Sequence, residues 1–453
     1  MNFVYVHTHD SGREIQPYGA AANNPGLMRL AREGFMFRNA HCTAPTCSPS
    51  RASMLTGMTP HQSGMLGLAH RGFEISDYSK HLAQYLSRNG YHTALIGVHH
   101  EARHAELIGY DEHLTDHVKK GKPAEFSDEV SLSLMRDFLR RRQNESKPFF
   151  LSFGLRATHR VYADTDNAID DYVRPPFPIV DTAATRHDYA NHLRTLETAD
   201  KCVSALLDEL DALNMRKDTV VMFTTDHGLA LPNMKSTLYD TGTGVALMIS
   251  VPGELHGCTD ALVSHLDVYP TVCKLLNVPC PGWAQGKSLL PLMQGEADQI
   301  NDYVFSEITY HATYQPTRSV RSRTAKLIRY FDTDLSPRFP NIDRSAAKDA
   351  YLSSRLAHMP MVREQLFDLV GDPCERVNLV DSPEYADVYA DLSAVLDEHM
   401  RVTDDPLLYG QVELRDEWVM NRTFDLDPDD ATYNNKGEQA KAPKAKKPAA
   451  PNA

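Results

Sequence analysis

Short apolar strands that alternate with amphipathic helices constrain the fold of this chain more than any other feature. Strands are predicted at residues 3–7, 93–97, 148–153, 219–224 and 245–251, with helices at 25–34, 78–90, 127–142, 189–213 and 265–276 between or after them. Parallel strands that are buried on both faces have continuous apolar runs of this kind. The order therefore predicts an α/β domain, in which a mostly parallel sheet is sandwiched between helices.

The pattern changes after about residue 301. Strands at 303–308 and 317–330 follow one another without intervening helices, and a strand at 365–369 and a helix at 383–400 come later. Consecutive strands without intervening helices predict a smaller C-terminal α+β domain that carries an antiparallel sheet. The predicted divisions are a catalytic α/β domain at 1–300, the C-terminal domain at 301–433, and a disordered tail rich in Lys, Ala and Pro at 434–453.

Charge and composition narrow the classes of function. The net charge of −13 over 453 residues argues against a nucleic-acid partner. No apolar run reaches transmembrane length, and the first residues read as a strand without a basic leader, so neither a membrane partner nor a signal peptide is predicted. An export signal that has been trimmed away stays open as an alternative. Seven cysteines without a disulfide-like spacing favour a reducing cytoplasm. Self-association into a homo-oligomer stays open.

The most informative local stretch begins at Cys47. Pro49 suits the first turn of a helix, and Gly57 is placed to end it. Cys47 is therefore predicted at a helix N-terminus, where free N–H groups favour negative charge. Arg51, four residues on, lies on the same helix face and can reach the group at position 47. This is a suitable position for a nucleophile that attacks an anionic ester.

The string C-x-P-S-R, followed by L-T-G, resembles the signature of the type I sulfatases of the alkaline-phosphatase-like superfamily. The resemblance implies that Cys47 is converted to Cα-formylglycine by a formylglycine-generating maturation enzyme, and that the hydrated aldehyde is the nucleophile. It also implies a divalent metal ion. The strand ends supply matching ligands in Asp10, Asp226 and His227, together with His9, where the family usually has a second aspartate.

The identity of the metal is left open by these residues. The family resemblance implies Ca²⁺, which prefers oxygen ligands, whereas imidazole ligands favour Mn²⁺ or another transition metal. The alternative for His9 is that it hydrogen-bonds beside the metal without ligating it.

Three further elements resemble catalytic motifs of the family. Gly97-Val98-His99-His100 resembles Gly-Lys-x-His, which implies that His100 is a base and places Val98 where the family has a lysine. His99 is then the candidate for replacing that cation near the substrate. The resemblance further implies that His159 protonates the leaving group and that Lys235 binds sulfate.

Within the family, the similarity is greatest to the sulfamidases (heparan N-sulfatases). It implies substrate contacts from His70, His311 and Arg318. The predicted activity is hydrolysis of a sulfuric ester or sulfamate, with release of sulfate from a sulfated sugar or small sulfate ester. Two alternatives are a formylglycine-dependent phosphonate monoester or phosphodiester hydrolase, and an unmodified protein that only binds sulfated glycans.

Overall fold

The computed structural model describes residues 1–114, 127–162, 164, 167–253 and 255–441. The strands are β1 (Asn2–Thr8), β2 (Phe35–His41), β3 (His92–Gly97), β4 (Glu112–Leu114), β5 (Phe149–Gly154), β6 (Thr219–Thr225), β7 (Gly244–Val245), β8 (Leu247–Ser250), β9 (Gly257–Ser264), β10 (Val304–Tyr310), β11 (Tyr314–Arg321), β12 (Ala325–Tyr330) and β13 (Glu364–Asp368). The α-helices are α1 (Pro25–Glu33), α2 (Cys47–Thr56), α3 (Pro60–Ser63), α4 (Leu82–Arg88), α5 (Asp128–Arg142), α6 (Ala183–Ala212), α7 (Asp240–Thr243), α8 (Val268–Leu275), α9 (Leu290–Met293), α10 (Ala346–Leu352) and α11 (Ala386–Val402).

The larger sheet has nine strands in the order β4-β3-β5-β1-β6-β8-β2-β7, with β9 beside β2. Strands β4, β3, β5, β1 and β6 are parallel to one another, whereas β8 runs antiparallel to β6. The predicted, mostly parallel sheet between helices is thereby confirmed. The apolar run predicted as one strand at 245–251 is instead divided between β7 and β8, which pair with different parts of β2.

Both faces of this sheet are covered, as the apolar runs require. Phe3 and Tyr5 of β1 enter one hydrophobic core, and Val4 and Val6 enter another on the opposite face. Because side chains alternate along a strand, only a strand buried on both sides has an unbroken apolar sequence.

Helix boundaries follow local signals in the sequence. Ser127 caps α5 by accepting a hydrogen bond from the Glu129 N–H, and Gly57 ends α2 in the left-handed conformation at φ 70°. Helix α6 begins earlier than the apolar spacing predicted, because Thr182 and Thr185 form a reciprocal cap ahead of it. No helix within the described ranges is long and apolar enough to cross a bilayer.

The second sheet has four antiparallel strands in the order β10-β11-β12-β13, and α11 packs against it. Its core includes Val320, Leu327 and Leu366 from the sheet, and Leu392 and Leu396 from α11. The predicted antiparallel sheet in the C-terminal region is therefore present.

The predicted tail is described only as far as residue 441. There Tyr433 forms bridges with Met420 and Gln439, and the Ala440 N–H donates to the Thr432 carbonyl. Residues 442–453 of the predicted tail lie outside the described residues.

Candidate active site

The candidate site lies where the parallel strands of the large sheet end. Strand β1 leads into His9 and Asp10, β6 into Asp226 and His227, and β3 into His100. Because these strands are parallel, their carboxyl ends meet at one edge of the sheet, where open α/β folds bind ligands. Residues that are far apart in sequence are therefore brought together by topology.

Helix α2 begins at Cys47, as predicted. Thr46 before it is extended, and Cys47 is almost fully buried. The Ser50 hydroxyl donates to the Asp226 carbonyl over 2.6 Å, which fixes the start of the helix against the end of β6. The helix N-terminus thus places the Cys47 side chain beside the acidic residues at the sheet edge.

Four predicted residues form the centre of the site. Asp10, Cys47, Asp226 and His227 each place a potential ligand atom within 4.8 Å of the others. The His227 Nε2 lies 3.3 Å from the Cys47 Sγ, 3.4 Å from the Asp10 Oδ1 and 3.6 Å from the Asp226 Oδ2. Asp10 and Asp226 are linked directly, since the Asp10 N–H donates to the Asp226 Oδ1.

The buried carboxylates of this centre favour positive charge on the groups around them. Burial disfavours the His227 imidazolium, but Asp226 and Cys47 outweigh it and raise the pKa to about 9. Burial likewise opposes the Asp226 carboxylate, while His227 and Arg51 lower its pKa overall. The carboxylates therefore create a strong local demand for a cation.

The donor set fits a divalent metal ion. His227 places its Nδ1 2.9 Å from the Gly228 carbonyl, so Nδ1 donates there and Nε2 faces the carboxylates, as in ligating histidines. The Asp10 Oδ1 is buried and makes no hydrogen bond among the described residues. Two carboxylates and one imidazole therefore converge with atoms available, and metal binding would displace the proton that His227 otherwise holds.

Arg51 lies beneath this centre and is 1% exposed. Its Nη2 is 2.9 Å from the Asp226 Oδ2 and 3.0 Å from the His9 Nδ1, and it also donates to the Thr8 carbonyl. Its Nη1 contacts the His7 Nδ1. The guanidinium therefore ties the end of β1 to α2 and to the metal-binding carboxylate.

Three histidines form a wall beside Cys47, which we call the histidine wall: His9, His100 and His159. The His9 ring centroid lies 4.7 Å from that of His100 and 5.4 Å from that of His159. Burial and Arg51 lower the pKa values of His9 and His100 well below the ordinary value. His99 is turned elsewhere, with its Nδ1 3.4 Å from the Glu101 Oε2.

Lys235 closes the other side of the centre. Its Nζ lies 3.3 Å from the Asp10 Oδ1 and 3.1 Å from the Asp343 Oδ2. Burial opposes its charge, but both carboxylates outweigh burial and raise its pKa well above the ordinary value. The Ser236 N–H donates to the Pro45 carbonyl, which fixes this loop beside the segment that precedes Cys47.

The C-terminal region contributes Asp343 and His311 to this side of the site. Asp343 was not predicted, because a lone aspartate in a loop carries no sequence signal; its side chain is 22% exposed. His311, in the turn between β10 and β11, is 5% exposed and its Nδ1 has no hydrogen-bond partner among the described residues. His70 is exposed on a short 3-10 turn. The C-terminal region thus contributes His311, which was predicted, and Asp343, which was not.

Arg318 is a correction to the predicted substrate contacts. Its guanidinium is buried between the two domains, where Nε and Nη2 donate to Asp405 over 2.5 and 3.0 Å and Nη1 donates to the Ile308 carbonyl. A guanidinium whose donors are committed in this way is structural.

Four of the nine described non-glycine residues with positive φ lie in loops of this site. Asp10, His100, Asn233 and Ser236 have φ values of 43°, 71°, 59° and 61°. Residues with a side chain rarely adopt this left-handed region, and such strain is typical of functional sites.

Comparison with known proteins identifies relatives over most of the chain. The sulfatase family model matches residues 1–278, and a model of the C-terminal region of N-sulphoglucosamine sulphohydrolase matches residues 232–339. The human N-sulphoglucosamine sulphohydrolase is 29% identical over 92% of this chain and 91% of its own length. An ulvan-active sulfatase of Formosa agariphila is 25% identical over 94% of this chain and 86% of its own length.

Solved structures share the fold. One, described as a complex with its substrate D-glucosamine-2-N,6-O-disulfate, is 18% identical and covers 89% of this chain and 98% of its own, with a TM-score of 0.70. Another, described as a 2-O glycosaminoglycan sulfatase, is 21% identical and covers 97% of this chain and 98% of its own, with a TM-score of 0.69.

Proposed function

This chain belongs to the sulfatase family and is a hydrolase of sulfuric esters or S–N bonds; on that premise, we propose that it releases sulfate from a sulfated amino sugar. The observation that carries the proposal is the position of Cys47, which stands at the start of α2 with Asp10, Asp226 and His227 around it. The similarity to N-sulphoglucosamine sulphohydrolase in both domains supports an N-sulfated glucosamine as the substrate.

We propose that Cys47 is converted to formylglycine by a maturation enzyme, which supplies a hydrated aldehyde as the nucleophile. Asp10, Asp226 and His227 would hold a divalent ion, which neutralises the charge of the reacting group. The imidazole among these ligands favours Mn²⁺ over a pure oxygen site for Ca²⁺. Arg51 keeps the group at position 47 and Asp226 in register through its buried contacts.

Proton transfers fall to the histidine wall. The His159 Nδ1 lies 2.5 Å from the Arg160 carbonyl and donates to it, so the second proton of the imidazolium is on Nε2, from which it can pass to the leaving nitrogen or oxygen. His100 is kept neutral by burial and by Arg51, so it can accept a proton from the hydroxyl at position 47 when sulfate leaves. Lys235 binds sulfate by its charge.

Sulfate release by protein that is co-expressed with a formylglycine-generating enzyme tests this proposal. The substrates are glucosamine N-sulfate, glucosamine 6-O-sulfate, an aryl sulfate and an aryl phosphonate, each with Mn²⁺ and with Ca²⁺. We expect the N-sulfated sugar to have the highest kcat/KM. Faster turnover of the phosphonate would instead support the phosphonate monoester hydrolase, which the histidine at position 227 and the missing cation at Val98 favour.

We further propose a cytoplasmic location, which seven cysteines without a disulfide-like spacing favour.

A further inference from the structure

His9 is a buried histidine whose two ring nitrogens are in different situations. Its Nδ1 lies 3.0 Å from the Arg51 Nη2. Its Nε2 is buried and has no hydrogen-bond partner among the described residues. A buried polar atom without a partner is destabilising, so this atom requires an explanation.

The contact with Arg51 fixes which nitrogen carries the hydrogen. A guanidinium has only N–H donors and does not lose its proton in proteins. The His9 Nδ1 must therefore present its lone pair to Arg51, and the hydrogen of the neutral ring lies on Nε2. The unpaired atom is thus an N–H donor, with no lone pair for a metal ion.

The position of the ring agrees with this assignment. His9 is not one of the four residues that converge as Asp10, Cys47, Asp226 and His227; it converges instead with Cys47 and His100, within 4.8 Å. Its ring packs against those of His100 and His159, on the proton-transfer side of Cys47. Val98 follows β3, which is separated from β1 by β5, and its apolar side chain has no hydrogen-bond donor.

We propose that His9 is a substrate-binding residue that donates its Nε2–H to an oxygen of the bound sulfate group, and is not a metal ligand. This inference rests on the proposed function, and it replaces the predicted role of His9 in the metal site. Sulfate oxygens accept hydrogen bonds, and a neutral donor held by Arg51 is already oriented for them. The hydrogen bond from the neutral His9 ring thus provides part of the anion binding that a cationic side chain would provide.

Three variants separate the two roles. His9→Gln keeps a donor near the position of Nε2, His9→Ala removes it, and His9→Asp introduces the carboxylate that a metal site would accept. Binding of Mn²⁺ and of inorganic sulfate is measured by calorimetry on each purified protein, with Asp226→Asn as the control for a lost metal ligand. Retained metal binding also shows that a variant is folded.

We expect His9→Ala to keep the stoichiometry of Mn²⁺ and to bind sulfate about tenfold more weakly, a loss of about 1.4 kcal/mol. His9→Gln should recover most of that loss, and His9→Asp should bind sulfate more weakly still because its carboxylate repels the anion. Loss of Mn²⁺ in His9→Ala comparable to that in Asp226→Asn would overturn the proposal, as would unchanged sulfate binding.

The result is distinguishable from failure of the proposed function. If the wild-type protein binds sulfate but hydrolyses none of the sulfate esters, the function fails, while the ratio of sulfate affinities still decides the role of His9. If the wild-type protein hydrolyses the N-sulfated sugar but binds no inorganic sulfate, the role of His9 is overturned while the proposed function stands.

Discussion

Two buried clusters of this protein have similar compositions and different properties. The active-site cluster consists of Asp10, Arg51, Asp226, His227 and Lys235. The interdomain cluster, between α3 and the second sheet, consists of His61, Glu307, Arg318 and Asp405. Each combines carboxylates with a histidine and at least one cationic side chain, and both clusters are buried.

The difference lies in how completely their polar atoms are paired. In the interdomain cluster, Glu307 accepts from the backbone and the ring of His61 over 2.8 and 2.5 Å, and Arg318 is bound by Asp405. None of its described side-chain atoms is without a partner. In the active-site cluster, neither the Arg51 Nε nor the Asp10 Oδ1, which lies 3.3 Å from the Lys235 Nζ, makes a hydrogen bond with a described residue. Composition therefore does not separate these two clusters, whereas the completeness of their hydrogen bonding does.

The strongest test of the contrast is removal of the nucleophile. Cys47→Ala is expected to lower kcat by at least about 10³-fold, because the residue that becomes the nucleophile is absent. The stability should change little, since only a small side chain is truncated. Steady-state kinetics and thermal unfolding measure the two effects. Cys280→Ala, at an exposed cysteine, is the matched control; full turnover by Cys47→Ala would contradict the proposed mechanism.

In the interdomain cluster, a substitution should lower the stability and leave the activity nearly unchanged. Arg318→Met is expected to lower the free energy of unfolding by about 3–5 kcal/mol, because it leaves Asp405 buried without its cation. The kcat/KM of the folded fraction should stay near the wild-type value. Urea denaturation and substrate kinetics check both.

Arg329 provides the comparison, since it lies opposite Arg318 in the register of β11 and β12 and its partners are more exposed. Arg329→Met should cost only about 0–1 kcal/mol. A large loss of kcat/KM in Arg318→Met with unchanged stability would instead indicate that Arg318 binds substrate.

Asp343 tests how the two domains cooperate at the site. Asp343→Asn removes one of the two carboxylates that hold the Lys235 Nζ, so the ammonium is less well fixed. We expect KM to rise about tenfold with a smaller change in kcat, as for the loss of one charged hydrogen bond of about 1.4 kcal/mol. Asp349→Asn, at an exposed position of α10, is the control. Equal kinetics of the two variants would show that Asp343 does not contribute to substrate binding.

The smallest expected effect is a pH dependence of stability. Burial opposes the His61 imidazolium, but Glu307 outweighs burial and raises its pKa above 6.5. The folded state therefore holds this proton more tightly than the unfolded state. The stabilisation is complete below the unfolded pKa of about 6.5, and it is lost as the pH rises through the raised pKa of the folded protein.

We therefore expect the free energy of unfolding to fall as the pH rises above about 6.5, and His61→Gln to reduce that slope. Urea denaturation at several pH values measures it. Parallel slopes for the variant and the wild type would show that the proton on His61 does not stabilise the interdomain cluster.

Local sequence signals predicted a large part of the site and of the fold. The signature around Cys47, the start of α2, and the strand ends at Asp10 and Asp226 were predicted correctly in place, because each depends on residues close together in sequence. Strands β2 and β9 were not predicted. Residues 35–41 include Arg38 and Asn39, and β9 begins with exposed residues, so neither has a continuous apolar run.

The sequence by itself determined the fold class, the family and the residues that converge at the sheet edge. These are encoded by apolar periodicity and by a contiguous motif. Only the tertiary structure decided that Arg318 is buried against Asp405, that Asp343 contacts Lys235, and that the His9 Nδ1 faces Arg51. Those distinctions depend on which polar atoms are paired across long sequence separations, and pairing is a property of the folded chain.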